Sequence, residues 1–170
     1  MSKITRVSVW KLFDWGIKLE KLTDKEKGEL YFWINYIHGG GCETESGKGY
    51  LAQWKESSQE RFRFYFENNL EIQVNECEVW ADIGSGPYSI LFEAPNSITK
   101  IIVDPLIIEY QQSRLLPQSI LPLNCIAVRS PAESLPFLDT SIDKIFCNNT
   151  IDHVDLPMKA LKEMVRVLRH

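Results

Sequence analysis

The spacing of hydrophobic positions changes near residue 75. Ahead of that point apolar residues recur at helical intervals. Thr23 and Glu26 form a capping-box pair, Leu30, Trp33, Ile34 and Ile37 then fall on one face, and Gly39, Gly40 and Gly41 end the run. A second helix is predicted from about Trp54 to Asn69. Trp54, Phe62, Tyr65 and Phe66 supply its bulk, read as core packing rather than as a ligand-stacking platform, and Asn68 and Asn69 supply its stop. Beyond residue 76 short β-rich runs take over: Glu78 to Ile83, Lys100 to Asp104, Cys125 to Arg129 and Asp143 to Asn148. A final amphipathic helix is predicted over Met158 to Arg169, with Leu161, Met164, Val165 and Leu168 on one face and Lys159, Lys162, Glu163 and Arg166 on the other. Strands that alternate with helices favour a parallel sheet with right-handed crossovers. The pattern therefore divides the chain into a helical extension or lid, residues 1–75, and an α/β domain, residues 76–170.

Composition narrows the function classes. A net charge of −4, without a long Lys/Arg cluster, gives no positive field to draw in a phosphate backbone, so nucleic acid is not the expected partner. No stretch has the length and apolarity of a signal peptide or a membrane span, and a cytoplasmic protein is expected. Cys42, Cys77, Cys125 and Cys147 are far apart and lack CxxC spacing; with only three histidines to join them, they read as buried free thiols, and no metal site is expected. The segment GGGCETESGKGY resembles a P-loop at a glance. It has Cys42 where that pattern needs glycine and Gly49 where it needs Ser or Thr, so it reads as a connector.

The chemistry concentrates in VWADIGSGPYSILFEA, Val79 to Ala94. In a parallel sheet, ligands bind outside the carboxyl ends of the strands, and Gly84 and Gly86 occupy the turn after the first. Glycine there permits positive φ and removes a Cβ that would hold a ligand away from the backbone. A dinucleotide fingerprint would need a third glycine, where this chain has Ser89. Asp82, two residues before the first glycine, would repel a pyrophosphate and attract a cation. Both features speak against a nicotinamide-dependent oxidoreductase.

ADIGSGP resembles the first motif of the class I S-adenosylmethionine-dependent methyltransferases, acidic-x-Gly-x-Gly after strand one, and KIIVDP supplies the second acidic position, Asp104. The segment from Ser130 to Arg169 is similar to the third and fourth strand region of the type 11 methyltransferases. The resemblance implies a Rossmann-like parallel sheet, strands 1 to 4 of the methyltransferase fold, behind an N-terminal helical extension, with S-adenosyl-L-methionine as cofactor. It implies that Asp82 helps hold the amino end of the methionine moiety, that Gly84 and Gly86 border the cofactor, and that Asp104, followed by Pro105, accepts both ribose hydroxyls. A carboxylate with two acceptor oxygens suits a vicinal diol. Relatives often have Asp-Ala-Glu before the LPF phrase, with the Asp on the adenine amino group; here Pro131, Ala132 and Glu133 stand there, so Ala132 keeps only a backbone N–H for the ring. Asn148 would lie near the transferring methyl group. His153 has two readings, a general base or a residue that orders the loop after strand four; Asp152 and Asp155 read as solvated or capping residues.

FWINYI, DIGSGPYSI, VDPLIIEY and NNTIDH together look like methyltransferases found among bacterial cell-surface glycan assembly enzymes, which implies a small-molecule or glycan-type acceptor. Relatives usually continue past RVL into a fifth strand and two more, whereas this sequence ends at RVLRH. A fragment of a longer protein is expected, with an open apolar edge at strand four suited to self-association. A degenerate methyltransferase-fold binding or scaffold domain remains the alternative.

Overall fold

The computed structural model describes residues 15–38, 60, 62, 72–116 and 118–170. The predicted helix from Trp54 to Asn69, the Gly39–Gly41 stop, the GGGCETESGKGY segment and Cys42 lie outside the described residues, apart from Glu60 and Phe62.

Four parallel strands form one sheet: β1 (Val79–Ile83), β2 (Thr99–Val103), β3 (Cys125–Val128) and β4 (Lys144–Phe146), in the order β3-β2-β1-β4. The register places Asp82 of β1 opposite Ile102 of β2 and Phe146 of β4. Each strand starts or stops within one or two residues of its predicted run, because the apolar β-branched stretches coincide with the buried central part of the sheet. The chain moves outward from β1 to β3 and then returns to the other side of β1. That reversal makes the carboxyl ends of β1 and β4 the switch point of the sheet, where a crevice opens.

Among the described residues, three α-helices flank the sheet: α1 (Asp24–His38), α2 (Ile107–Gln112) and α3 (Pro157–Val167). The capping box of α1 forms as predicted. Glu26 Oε2 accepts from the Thr23 N–H at 2.7 Å, and Thr23 Oγ1 accepts from the Glu26 N–H at 3.2 Å. Leu30 and Ile34 are fully buried, and with Ile17 and Leu22 they pack on Ile102, Leu106, Ile107 and Tyr110, so α1 and α2 share one core. On the opposite face Ala81, Ile83, Ile101 and Val103 pack against α3. A third cluster surrounds Trp80 and includes Leu91, Ile98 and the partly buried Phe62.

Two expectations are corrected. Helix α3 buries Ala160, Met164 and Val167, while Leu161 and Val165 are 41% and 57% exposed. The sheet takes the row at i, i+4 and i+7 that starts from the smallest residue, Ala160, since only that row lets the helix approach closely. The thiols also differ from expectation: Cys77 is exposed, at positive φ in a turn, and Cys125 and Cys147 are half-buried. All three are free. The sheet edge at β4 carries one further contact, a parallel bridge from Ile142 to Leu168.

Candidate functional site

β1 delivers Asp82 and the glycine turn, β2 delivers Asp104, and the backbone joins them. Gly84 N and Ser85 N donate to Val103 O at 2.7 and 3.1 Å, which carries the β1–β2 pairing into the turn. Gly84 and Gly86 adopt φ of +71° and +61°, the left-handed region expected of them. The space a Cβ would fill is occupied by protein at Gly84, whereas at Gly86 it would only touch a neighbouring ring at ordinary contact distance. At Gly84 an added Cβ would stand 2.1 Å from Thr150 Cγ2, and at Gly86 it would stand 3.4 Å from the ring of Trp33. The missing side chain at Gly84 thus admits the loop after β4, while both glycines still line the cavity described below.

Asp104 is 7% exposed and accepts at both oxygens, Oδ2 from Gly86 N at 3.0 Å and Oδ1 from Leu106 N at 2.9 Å. Each oxygen keeps a second acceptor direction. Burial pushes this carboxyl up to about 7; the two N–H donors pull the other way, and the neighbouring charges of Glu29 and Asp82 add to the rise. Asp82, 4% exposed, accepts from Ser89 Oγ at 2.6 Å, and Ser89 Oγ in turn accepts from Leu91 N at 3.0 Å. Ser89, which replaces the third glycine of the dinucleotide pattern, is therefore the N-cap of a 3-10 turn (Ile90–Glu93) and fixes the Asp82 carboxylate.

One cavity of about 1130 Å³ brings the predicted residues together. Asp82, Gly84, Gly86, Asp104, Pro105, Ala132, Glu133, Asn148 and His153 all line it. Its volume exceeds the range typical for a single drug-sized ligand, roughly 300–1,000 Å³. Glu133 has a local task as well, since its Oε1 accepts from Asp155 N at 2.8 Å and Leu156 N at 3.1 Å and orders the entry to α3. His153 sits in a 3-10 turn (Ile151–His153) at the mouth with its side chain 53% exposed, its Nε2 3.6 Å from Asp152 Oδ2 and its backbone N–H on Thr150 O. Asp155 is paired with Lys25 of α1. Among the described residues no group of three or more His, Cys, Asp or Glu is arranged to hold a metal ion.

Sequence reasoning missed four contributors: Glu29, Trp33, Ser89 and Thr150. Trp33 Nε1 donates to Glu29 Oε1 at 2.8 Å, and both line the cavity. Thr150 Oγ1 donates to Gly84 O at 3.2 Å. The i, i+4 spacing of Glu29 and Trp33 was the available signal for the first pair.

A family of proteins described as a methyltransferase domain matches residues 81–170. The chain belongs to the methyltransferase-domain family. Its fold is the class I, Rossmann-like methyltransferase fold. Among solved structures it is similar to the YcgJ protein of Bacillus subtilis, at 24% identity and a TM-score of 0.54, with 68% of this chain and 47% of that one covered. It is similar to a protein of Methanococcus maripaludis named as a candidate S-adenosyl-L-methionine-dependent methyltransferase, at 16% identity and 0.56, with 76% and 64% covered. It is also similar to the [4+2]-cyclase SpnF, at 17% identity and 0.53, with 86% and 57% covered. These likenesses concern the fold, and the chain spans 47% to 64% of the length of these three structures. No curated protein matches it. No helix among the described residues of this methyltransferase domain is long and apolar enough to cross a membrane.

The donors and acceptors of the cavity fit S-adenosyl-L-methionine. Asp104 offers acceptors for a diol, two further carboxylates, Asp82 and Glu29, suit a cationic ligand, and Ala132 is among the lining residues.

Proposed function

We propose that the chain is the cofactor-binding part of an S-adenosyl-L-methionine-dependent methyltransferase that acts on a small-molecule or glycan-type acceptor in the cytoplasm, with residues 1–75 as a lid over residues 76–170. The observation that carries this reading is Asp104, a buried carboxylate held at both oxygens by the glycine turn and by its own loop. Bound there, the cofactor supplies a sulfonium-activated, electrophilic methyl group. Asp104 accepts the two ribose hydroxyls, Asp82 faces the amino end of the methionine moiety, Gly84, Gly86 and Pro105 shape the wall, and the Ala132 N–H meets the adenine ring beside Glu133. Asn148, which follows β4 and lines the same cavity, is assigned to the approach of the acceptor. The protein's main contribution is to align acceptor and methyl group. His153, at the open mouth beside Asp152, suits passage of a proton from a hydroxyl acceptor to solvent.

A second reading, a binding domain without turnover, draws on Pro131, which removes the side-chain acceptor for the adenine amino group, and on the cyclase name of one structural neighbour. Calorimetric titration with S-adenosyl-L-methionine tests the cofactor, with binding expected for the folded chain and lost in an Asp82→Ala, Asp104→Ala double variant. A folded chain that binds nothing refutes the methyltransferase reading. Binding without transfer of a labelled methyl group to a panel of amine, hydroxyl and glycan acceptors favours the second.

A further inference from the structure

Helix α1 reaches the cofactor turn through a short chain of contacts. The Trp33 ring lies against Gly86, the Trp33 Nε1–H donates to Glu29 Oε1 at 2.8 Å, and Gly86 N donates to Asp104 Oδ2 at 3.0 Å. One indole ring therefore ties the Glu29 carboxylate to the turn that holds Asp104. Most of the other acidic groups on the cavity wall are matched locally: Glu26 caps α1 through Thr23, Glu133 accepts two backbone N–H groups, and Asp155 is paired with Lys25. Glu29 joins Asp82 and Asp104 on the same wall, and its charge adds to the upward push on the Asp104 carboxyl, as a close neighbour's would. Both α1 residues lie ahead of the segment that matches the family.

We propose that Glu29, held by Trp33, makes the cavity favour the positively charged sulfonium cofactor over the neutral thioether that remains after transfer. The proposal rests on the cofactor reading above. In the transfer, the acceptor's lone pair forms a bond to the methyl carbon, the carbon–sulfur bond breaks with its electron pair going to sulfur, and the sulfur loses its positive charge. Glu29 is attracted to the first species and has no such attraction to the second. A carboxylate that shares a partly solvated cavity with a unit positive charge gives a preference of about tenfold. The consequence is readier exchange of spent for fresh cofactor, a binding effect separate from the rate of the chemical step.

The test is calorimetric titration of the full chain and its Glu29→Gln variant with S-adenosyl-L-methionine and with S-adenosylhomocysteine, at low and high salt. Gln keeps an acceptor for the Trp33 N–H, so the variant is expected to melt as the parent does. The expected result is a loss of about tenfold in affinity for the sulfonium ligand, with the thioether changed by less than about twofold. The parent's preference should shrink with salt more steeply than that of the variant, which keeps Asp82 and Asp104. Glu29→Asp should retain part of the preference, and it serves as the measurement if the Gln variant does not fold. Equal weakening of both ligands, as from a structural role, or an unchanged ratio overturns the proposal. A folded parent that binds neither ligand refutes the cofactor reading first and this proposal with it.

Discussion

Replacing Asp104 by Asn separates stability from cofactor recognition at one atom. The carboxyl is buried and its pKa stands at about 7, against 3.8 for a free side chain. The folded state thus holds a proton that the unfolded chain has released between those values, so the contribution of Asp104 to stability is fully present below pH 3.8 and is lost as pH rises through 7. Three units correspond to about 4 kcal/mol at full ionisation. Asn stays neutral throughout, but its amide group must face one of the two N–H donors, Gly86 N or Leu106 N, at a cost of about 1–3 kcal/mol. At pH 8 Asp104→Asn is therefore expected to be more stable than the parent by about 1–3 kcal/mol. At pH 5, where well under half of the penalty has developed, the advantage should vanish or reverse. Urea denaturation of both proteins from pH 4 to pH 8 measures the difference, and subtraction removes the groups they share. A difference that stays flat between pH 4 and pH 7 would refute the assignment of the shift to Asp104. The same variant should lose S-adenosyl-L-methionine binding. Ribose hydroxyls donate to the ionised form, so binding to the parent below pH 7 should release a proton, read as a heat that varies with the ionisation enthalpy of the buffer.

Gly84→Ala should destabilise by about 2 kcal/mol or more, because its Cβ would stand 2.1 Å from Thr150 Cγ2 and because φ is +71°. Adding Thr150→Gly should recover part of that loss but not the backbone strain; strict additivity of the two changes in thermal unfolding would contradict the packing account. Burial of Glu78 opposes its ionisation, yet hydrogen bonds from Lys144, Asn75 and Trp80 hold its carboxyl down at about 2. Its stabilisation is present above pH 4.5 and lost as pH falls through 2. Glu78→Gln should cost about 1–3 kcal/mol at neutral pH and nothing near pH 2, as followed by acid titration of the folded fraction.

The strands and the two acidic positions were legible because their signals are local. Asp82 precedes its glycines by two residues, Asp104 closes an apolar run, and positive φ at Gly84 and Gly86 follows from the turn alone. What escaped depends on residues distant in sequence. A helical wheel for α3 offers two adjacent apolar rows, and only contact with Ile83 and Val103 chooses the one that contains Ala160. The capping box fixed where α1 starts, but nothing in the sequence placed Trp33 against Gly86, fifty-three residues away. Ser89 read as the failure of a glycine motif, whereas it secures Asp82.

These misses share a cause that bears on the site itself. Bare backbone after β1 is usually taken as room left for a ligand, yet at Gly84 it accommodates Thr150 from the loop after β4, and Gly86 has the Trp33 ring of α1 as a neighbour. The turn is thereby clamped from both sides of the switch point, and Asp104, held by the Gly86 N–H, inherits that rigidity. In the proposed reading, two acceptor oxygens placed by backbone donors need little reordering when a diol arrives, so the ordering cost is met during folding. Helix α1 thus reaches the cavity wall directly, through one indole ring.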